Sequence, residues 1–142
     1  MNRRGHRLLQ QIGRTGRAMY AAFETQVGQA LPRWRILQAL HERKSATQKQ
    51  LAAQLLIDPG ALTRQMKTLE QEGLIARRNN PQDRRSTTVS LTPAGRAALR
   101  AAQPARKAFL RQALRGLPEE RQSAAMETLE LLERRFRAML GP

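Results

Sequence analysis

Cysteine is absent from this chain, which excludes disulfides, thiolate zinc sites and thiol redox sensing. Histidine occurs only as His6 and His41, in segments expected to form different helices. No Gly-rich phosphate loop and no serine in a nucleophile-elbow pattern accompany them, so an enzyme is not expected. Two histidines without clustered carboxylates also make a poor ligand set, so neither a metal nor a cofactor is expected. No stretch approaches the ~18 uncharged apolar residues of a membrane span. A secretion signal is missing too, and the expected location is the cytoplasm. Neither repeats nor low-complexity linkers occur, and 142 residues fit one domain.

Acidic residues are the scarcest of the common types. Eleven acids face 26 basic residues, for a formal charge of +15. That balance makes a polyanion the expected partner. Arg3, Arg4, Arg7, Arg14 and Arg17 precede the first acid, Glu24. Residues 31–91 hold eleven basic residues against five acids, and those after Thr92 hold ten against five. Nucleic acid is favoured over a membrane surface because the charge lies on a hairpin and a capped short helix as well as on amphipathic helices.

The most telling stretch is 46–91. Thr47-Gln48-Lys49-Gln50 reads as a capping box that opens a short helix over 49–55, with Leu51, Ala52 and Leu55 on one face. Asp58-Pro59 opens a second helix, with a carboxylate for the free N–H groups and proline at the first helical position. Gly73 ends it. Two short helices at this spacing form a helix-turn-helix, which places its second helix in the major groove of duplex DNA. Leu74–Arg78 and Ser86–Leu91 then read as paired strands, joined by the turn residues Asn79-Asn80-Pro81-Gln82-Asp83.

The flanks are helical. Over residues 4–27, Leu8, Leu9, Ile12, Met19, Phe23 and Val27 gather on one side, beside His6, Gln10, Gly13, Arg17 and Tyr20. A second helix begins at Leu31-Pro32, carries Trp34, Ile36, Leu37 and Leu40, and stops near Glu42-Arg43-Lys44. Thr92-Pro93 caps a long helix in which Pro104 is expected to introduce a kink. Ala125, Leu129, Leu132, Phe136 and Leu140 form the apolar stripe of a last helix over 119–140. The expected fold is α+β, mainly α, with six helices and one antiparallel hairpin. It is a winged helix-turn-helix over residues 31–92, with dimerisation helices over 1–30 and 104–142, and 93–103 starting a connecting helix. The terminal helices are too long merely to cover the winged part, and a two-fold homodimer accounts for their apolar stripes.

Leu51-Ala52 with Leu55, Leu62-Thr63-Arg64, Leu69-Glu70, Gly73-Leu74-Ile75 with Arg77, Asp83-Arg84-Arg85, and Leu91-Thr92-Pro93-Ala94-Gly95 together resemble the signature of the MarR family of winged-helix transcriptional regulators. The resemblance is close over 31–96 and looser over the whole chain. It implies a homodimer, usually a repressor, released from a pseudo-palindromic operator by a small aromatic or phenolic compound.

On the second helix of the motif, Leu62, Met66 and Leu69 share a core face, leaving Gly60, Thr63, Arg64, Lys67 and Gln71 outward. Arginine can pair with guanine O6 and N7, and Arg64 lies in the turns that usually meet base edges. Lys67 is expected on phosphate. Thr47 and Gln48 serve either as caps or as backbone contacts. By the resemblance, Arg85 enters the minor groove, Asp83 orients its guanidinium, and Arg84 touches phosphate. For an effector, Arg17 can pair with a carboxylate, His6 and Tyr20 can donate hydrogen bonds, Trp34 can stack on a ring, and Gly13 leaves room. The same residues also suit a solvated helix flank with Trp34 in the core. The competing function is an architectural protein that coats double-stranded DNA with little sequence preference and no effector.

The hairpin residues yield a test whose sign is informative. Asp83→Ala removes a negative charge, so electrostatics alone predicts tighter DNA binding. An aspartate that orients Arg85 predicts weaker binding, and a double variant with Arg85→Ala losing less than the sum of the two single losses. Affinity titrations at one salt concentration decide between them.

Overall fold

The computed structural model describes residues 2–141, the side chains of residues 83–85 excepted. Its order is α1 (Arg3–Val27), α2 (Leu31–Arg43), β1 (Ser45–Thr47), α3 (Gln48–Leu55), α4 (Pro59–Gln71), β2 (Ile75–Asn80), β3 (Asp83–Leu91), α5 (Pro93–Ala113) and α6 (Glu119–Met139). The helix starts follow from local chemistry. Asn2 caps α1 by accepting from the Gly5 N–H at 3.0 Å. Thr47 and Gln50 exchange the reciprocal bonds of a capping box at 3.0 and 2.9 Å. Asp58 accepts from the Ala61 N–H at 3.1 Å, and Pro59 occupies the first helical position, where no N–H is needed.

Two features depart from the sequence reading. The sheet has three antiparallel strands in the order β1-β3-β2, not two. Ser45, Ala46 and Thr47 pair with Ser90, Val89 and Thr88; a three-residue strand is too short to show periodicity. The hairpin is also longer than expected, because β2 continues through Asn79 and Asn80. Pairing of Arg78 with Thr88 and Asn79 with Thr87 overrides the turn preference of the asparagines, leaving Pro81-Gln82 at the tip. Helix α5 carries Pro104 in its interior, at the position where a kink is expected from the missing hydrogen bond.

The backbone divides into two compact units, Met1–Phe109 and Leu110–Pro142. In the first, α2, α3, α4 and the sheet enclose Ile36, Leu37, Leu40, Leu51, Leu62, Met66, Leu69 and Val89, all essentially without solvent contact. Burying each such side chain stabilises by roughly 1.5–3 kcal/mol. Phe23 of α1 meets Trp34 of α2 at 6.0 Å and Phe109 of α5 edge-on at 5.4 Å, which brings α1 onto the same core. In the second unit, the Gln122 side chain donates to the Leu117 carbonyl at 2.9 Å, and α6 buries none of its residues.

Leu91-Thr92-Pro93-Ala94-Gly95 forms a tight junction. The Thr92 hydroxyl donates to the Gly73 carbonyl and accepts from the Gly95 N–H at 3.1 Å. The Thr92 N–H donates to the Leu74 carbonyl at 3.1 Å. That carbonyl lies so close to α5 that a Cβ on residue 95 would stand 2.1 Å from its oxygen. Backbone cannot yield as a flexible side chain can. Gly95→Ala is therefore expected to destabilise the fold by about 3 kcal/mol, read as a lower denaturation midpoint with an unchanged m-value.

Candidate nucleic-acid interface

Helix α4 divides its residues as its periodicity demands. Leu62, Met66 and Leu69 are buried, while Gly60, Thr63, Arg64 and Lys67 are exposed. The Arg64 guanidinium turns back over the first turn of the helix, 3.6 Å from where a Cβ on Gly60 would sit. This is the direction in which long helical side chains lean. The Thr63 hydroxyl donates to the Pro59 carbonyl at 2.9 Å, so its hydrogen is engaged within the helix. Thr47 acts as a cap, its oxygen accepting from the Gln50 N–H. The Gln48 side chain accepts from Arg77 at 3.5 Å. The sequence-based expectations for Asp83, Arg84 and Arg85 concern side chains outside the described residues.

Electrostatics sharpens this surface. Of the acids in residues 31–91, Asp58 is engaged as a cap and Glu42 accepts from Gln38 at 3.1 Å. Glu72 pairs with Arg33 of α2. Glu70 accepts two parallel bonds from Arg77, at 2.9 and 3.0 Å. That fork holds the Glu70 carboxyl below its ordinary value and raises the Arg77 guanidinium, the hydrogen bond being the main cause for both. Among the described residues, Arg64 and Lys67 have no carboxylate partner. Acids of the helix-turn-helix are thus spent inside the protein, and the cations of its outward face are left for a ligand.

Arg77 is the residue whose role the sequence reading missed. It stands on β2 and reaches Glu70 of α4 and Gln48 of α3 together, joining both helices of the motif to the base of the hairpin. Its only signal in the sequence was its place after Gly73-Leu74-Ile75, which names no partner. The Arg33–Glu72 pair acts similarly between α2 and the end of α4.

The four expected effector residues do not converge within one chain. His6 and Tyr20 are fourteen positions apart on α1, about 21 Å at the rise of a helix. Arg17 folds over Gly13, 3.4 Å from its would-be Cβ, which fills the room that glycine was expected to leave. Trp34 is a correction: at 3% exposure it packs with Phe23 in the core, with Arg106 over its ring at 6.0 Å, and it has no free face for a ligand. Tyr20 does line a cavity of about 140 Å³ with Pro32, Arg35, Leu55, Leu56 and Ile57. Its hydroxyl accepts a 2.7 Å hydrogen bond from Arg35, a residue not singled out from the sequence. Leu56, at the turn between α3 and α4, has the left-handed φ of 53°.

Comparison with known proteins agrees with this geometry. Residues 30–87 match the family model described as MarR family. An HTH-type transcriptional regulator of Bacillus subtilis, YdgJ, is 28% identical over 122 residues, which cover 86% of this chain and 74% of that protein. The organic hydroperoxide resistance transcriptional regulator of the same organism is 41% identical over 64 residues, 45% of this chain and 44% of the relative. A crystal structure of a probable transcriptional regulator from Pseudomonas aeruginosa superposes with a TM-score of 0.77 at 31% identity, over 92% of this chain and 97% of that one. A mutant MarR from E. coli complexed with operator DNA has a TM-score of 0.81 over 88% of this chain and 92% of that one. At 20% identity it speaks for the fold alone.

The Arg77–Glu70 fork has a pH signature. A carboxyl held below its ordinary value stabilises the fold above that value, 4.5, and loses the contribution as pH falls through its folded-state pKa. Glu70→Gln should therefore melt below the parent at neutral pH, with the two converging as the pH falls below that value. A series of thermal melts across pH checks it.

Proposed function

The chain belongs to the MarR family of DNA-binding transcriptional regulators, and we propose that it acts as a two-fold dimer that represses nearby genes until a small aromatic or phenolic acid releases it. Members of the family are regulators of transcription rather than enzymes. The observation that carries the reading is the outward face of α4, where Arg64 and Lys67 stand exposed, with no carboxylate partner among the described residues, on a helix anchored by Leu62, Met66 and Leu69. In this reading Arg64 takes a base edge, Lys67 takes phosphate, Gly60 and Thr63 line the approach, and Thr47 and Gln48 meet the backbone from α3. Asp83, Arg84 and Arg85 form the minor-groove reader. No described helix is long and apolar enough to cross a membrane, and the proposed site of action is cytoplasmic DNA.

The dimer is supported by apolar surface that each unit leaves open. Leu8, Leu9 and Met19 on α1 are 46–47% exposed, and Leu129, Phe136 and Leu140 on α6 are 41–69% exposed. Residues 1–30 and 104–142 are the proposed dimerisation segments and 31–92 the DNA-binding part, linked by 93–103. Two-fold symmetry then places the α4 helices on half-sites about 10 base pairs apart.

The effector seat is narrowed to the cavity beside Tyr20 and Arg35. Arg35 offers a cation to a carboxylate and Tyr20 a phenol, while Leu55, Leu56 and Ile57 supply an apolar wall. Those three residues belong to the turn that sets α4 relative to α3, so a molecule lodged there bears directly on the placement of Arg64.

Operator sequences selected from random duplexes provide the test. Arg64→Ala should cost roughly 1–3 kcal/mol on the selected site and relax preference at one position per half-site, while Lys67→Ala should weaken all sequences alike. Equal losses on selected and random DNA for both variants would overturn the assignment and favour an architectural protein. In a thermal-shift series with aromatic acids, stabilisation that Arg35→Gln abolishes is expected for the effector seat.

A further inference from the structure

The winged part accounts for the basic residues of α4 and the hairpin, but not for α1. Taking about 100° per residue, Arg3, Arg7, Arg14 and Arg17 fall within an arc of roughly 80°, and Phe23, the buried residue of the helix, lies nearly opposite. All four arginines are exposed. Among the described residues none has a carboxylate partner; Arg14 donates only to Gln11, at 2.9 Å. Arg4 borders the same face, and no acid precedes Glu24. The row runs about 21 Å along the axis, the length of about six base steps of one DNA strand.

We propose that this face of α1 is a second nucleic-acid surface, which holds the phosphate backbone of duplex DNA independently of α4 and the wing. The arrangement favours a duplex over the other polyanions. Single strands are held by bases stacking on aromatic rings, yet the aromatics of α1 are occupied: Phe23 is buried, and Tyr20 packs against the core with its hydroxyl bonded to Arg35. A membrane surface needs the apolar side of the helix free to enter the interface. Here Tyr20, Phe23 and Val27 are committed to the core, and the open Leu8, Leu9 and Met19 are the side chains assigned above to a second copy. What remains is a row of guanidiniums without carboxylate partners among the described residues, suited to phosphates. The phosphates can belong to the flanks of the bound site or to a second duplex.

The test uses the full chain and a long random-sequence duplex. Arg3, Arg7, Arg14 and Arg17 are changed together to glutamine, which has similar helix propensity, with circular dichroism as a check on folding. The control, Arg100, Arg111, Arg115 and Arg121 to glutamine, removes the same charge from exposed positions elsewhere. The α1 variant should flatten the dependence of log affinity on log salt by roughly 3 to 4 relative to the parent, while the control moves it much less. Energy transfer between donor- and acceptor-labelled duplexes, present in the parent and lost in the α1 variant, identifies a second duplex. A flattened slope without transfer identifies the flanks. Equal slopes for variant and control overturn the proposal, as does an unchanged slope with loss of binding to anionic phospholipid vesicles. Arg64→Ala, measured alongside, should lose preference for the selected site while keeping the α1 contribution, so failure of one surface is distinguishable from failure of the other.

Discussion

The contact between the Leu74 carbonyl and Gly95 constrains everything around it. Three pieces of backbone meet there: the end of α4 with its turn at Gly73, the start of the hairpin, and the first turn of α5. Their approach is closer than any side chain on residue 95 allows, and Thr92 ties it from both directions by donating to Gly73 and accepting from Gly95. A helix start that is also a strand end and a helix stop leaves little freedom in the angle between α4 and α5. Helix α4 is thereby fixed relative to the helix that leads out of the winged part.

Charge is sorted with similar economy. A protein that binds DNA gains nothing from acids on its binding face, yet Glu70, Glu72 and Asp58 all belong to α4 or its ends. Each is turned to structural use. Glu70 draws β2 and α3 together through Arg77, Glu72 holds α2 through Arg33, and Asp58 satisfies free N–H groups at the helix start. Exposed ion pairs contribute little to stability, so the worth of these lies mainly in geometry: they set the positions of α2, α3, α4 and β2 against one another. They also remove the negative charge that would otherwise stand beside Arg64 and Lys67.

In the proposed scheme, each remaining surface has a separate task. The outward face of α4 reads, the arginine face of α1 holds, and the open apolar side chains of α1 and α6 seek a second copy. The cavity beside Tyr20 sits against the turn preceding α4. Ligand binding there bears on DNA affinity to the extent that it favours one placement of that turn over another, and Leu56, in a left-handed conformation costly for a leucine, marks the turn as one held by its surroundings.

Most of the helical frame was legible in the residues themselves. The capping box at Thr47-Gln50, the Asp58-Pro59 start, the stop at Gly73 and the three- and four-residue spacing of Leu62, Met66 and Leu69 are local signals, each requiring partners only a few residues away. Periodicity likewise separated the core side of α4 from Arg64 and Lys67. What only the tertiary structure decided involves partners far apart in the chain. Strand β1 exists because β3 offers it an edge. Asn79 is extended rather than turned because Thr87 pairs with it across the ladder, and Asn80 because it pairs with Asp83. Arg77 finds Glu70 and Gln48, Tyr20 finds Arg35, and Trp34 is taken into the core by Phe23 rather than left to a ligand. Propensity, capping and spacing act over one or two turns of chain and can be read in order; the choice among distant partners depends on packing in three dimensions, which the order of residues does not display.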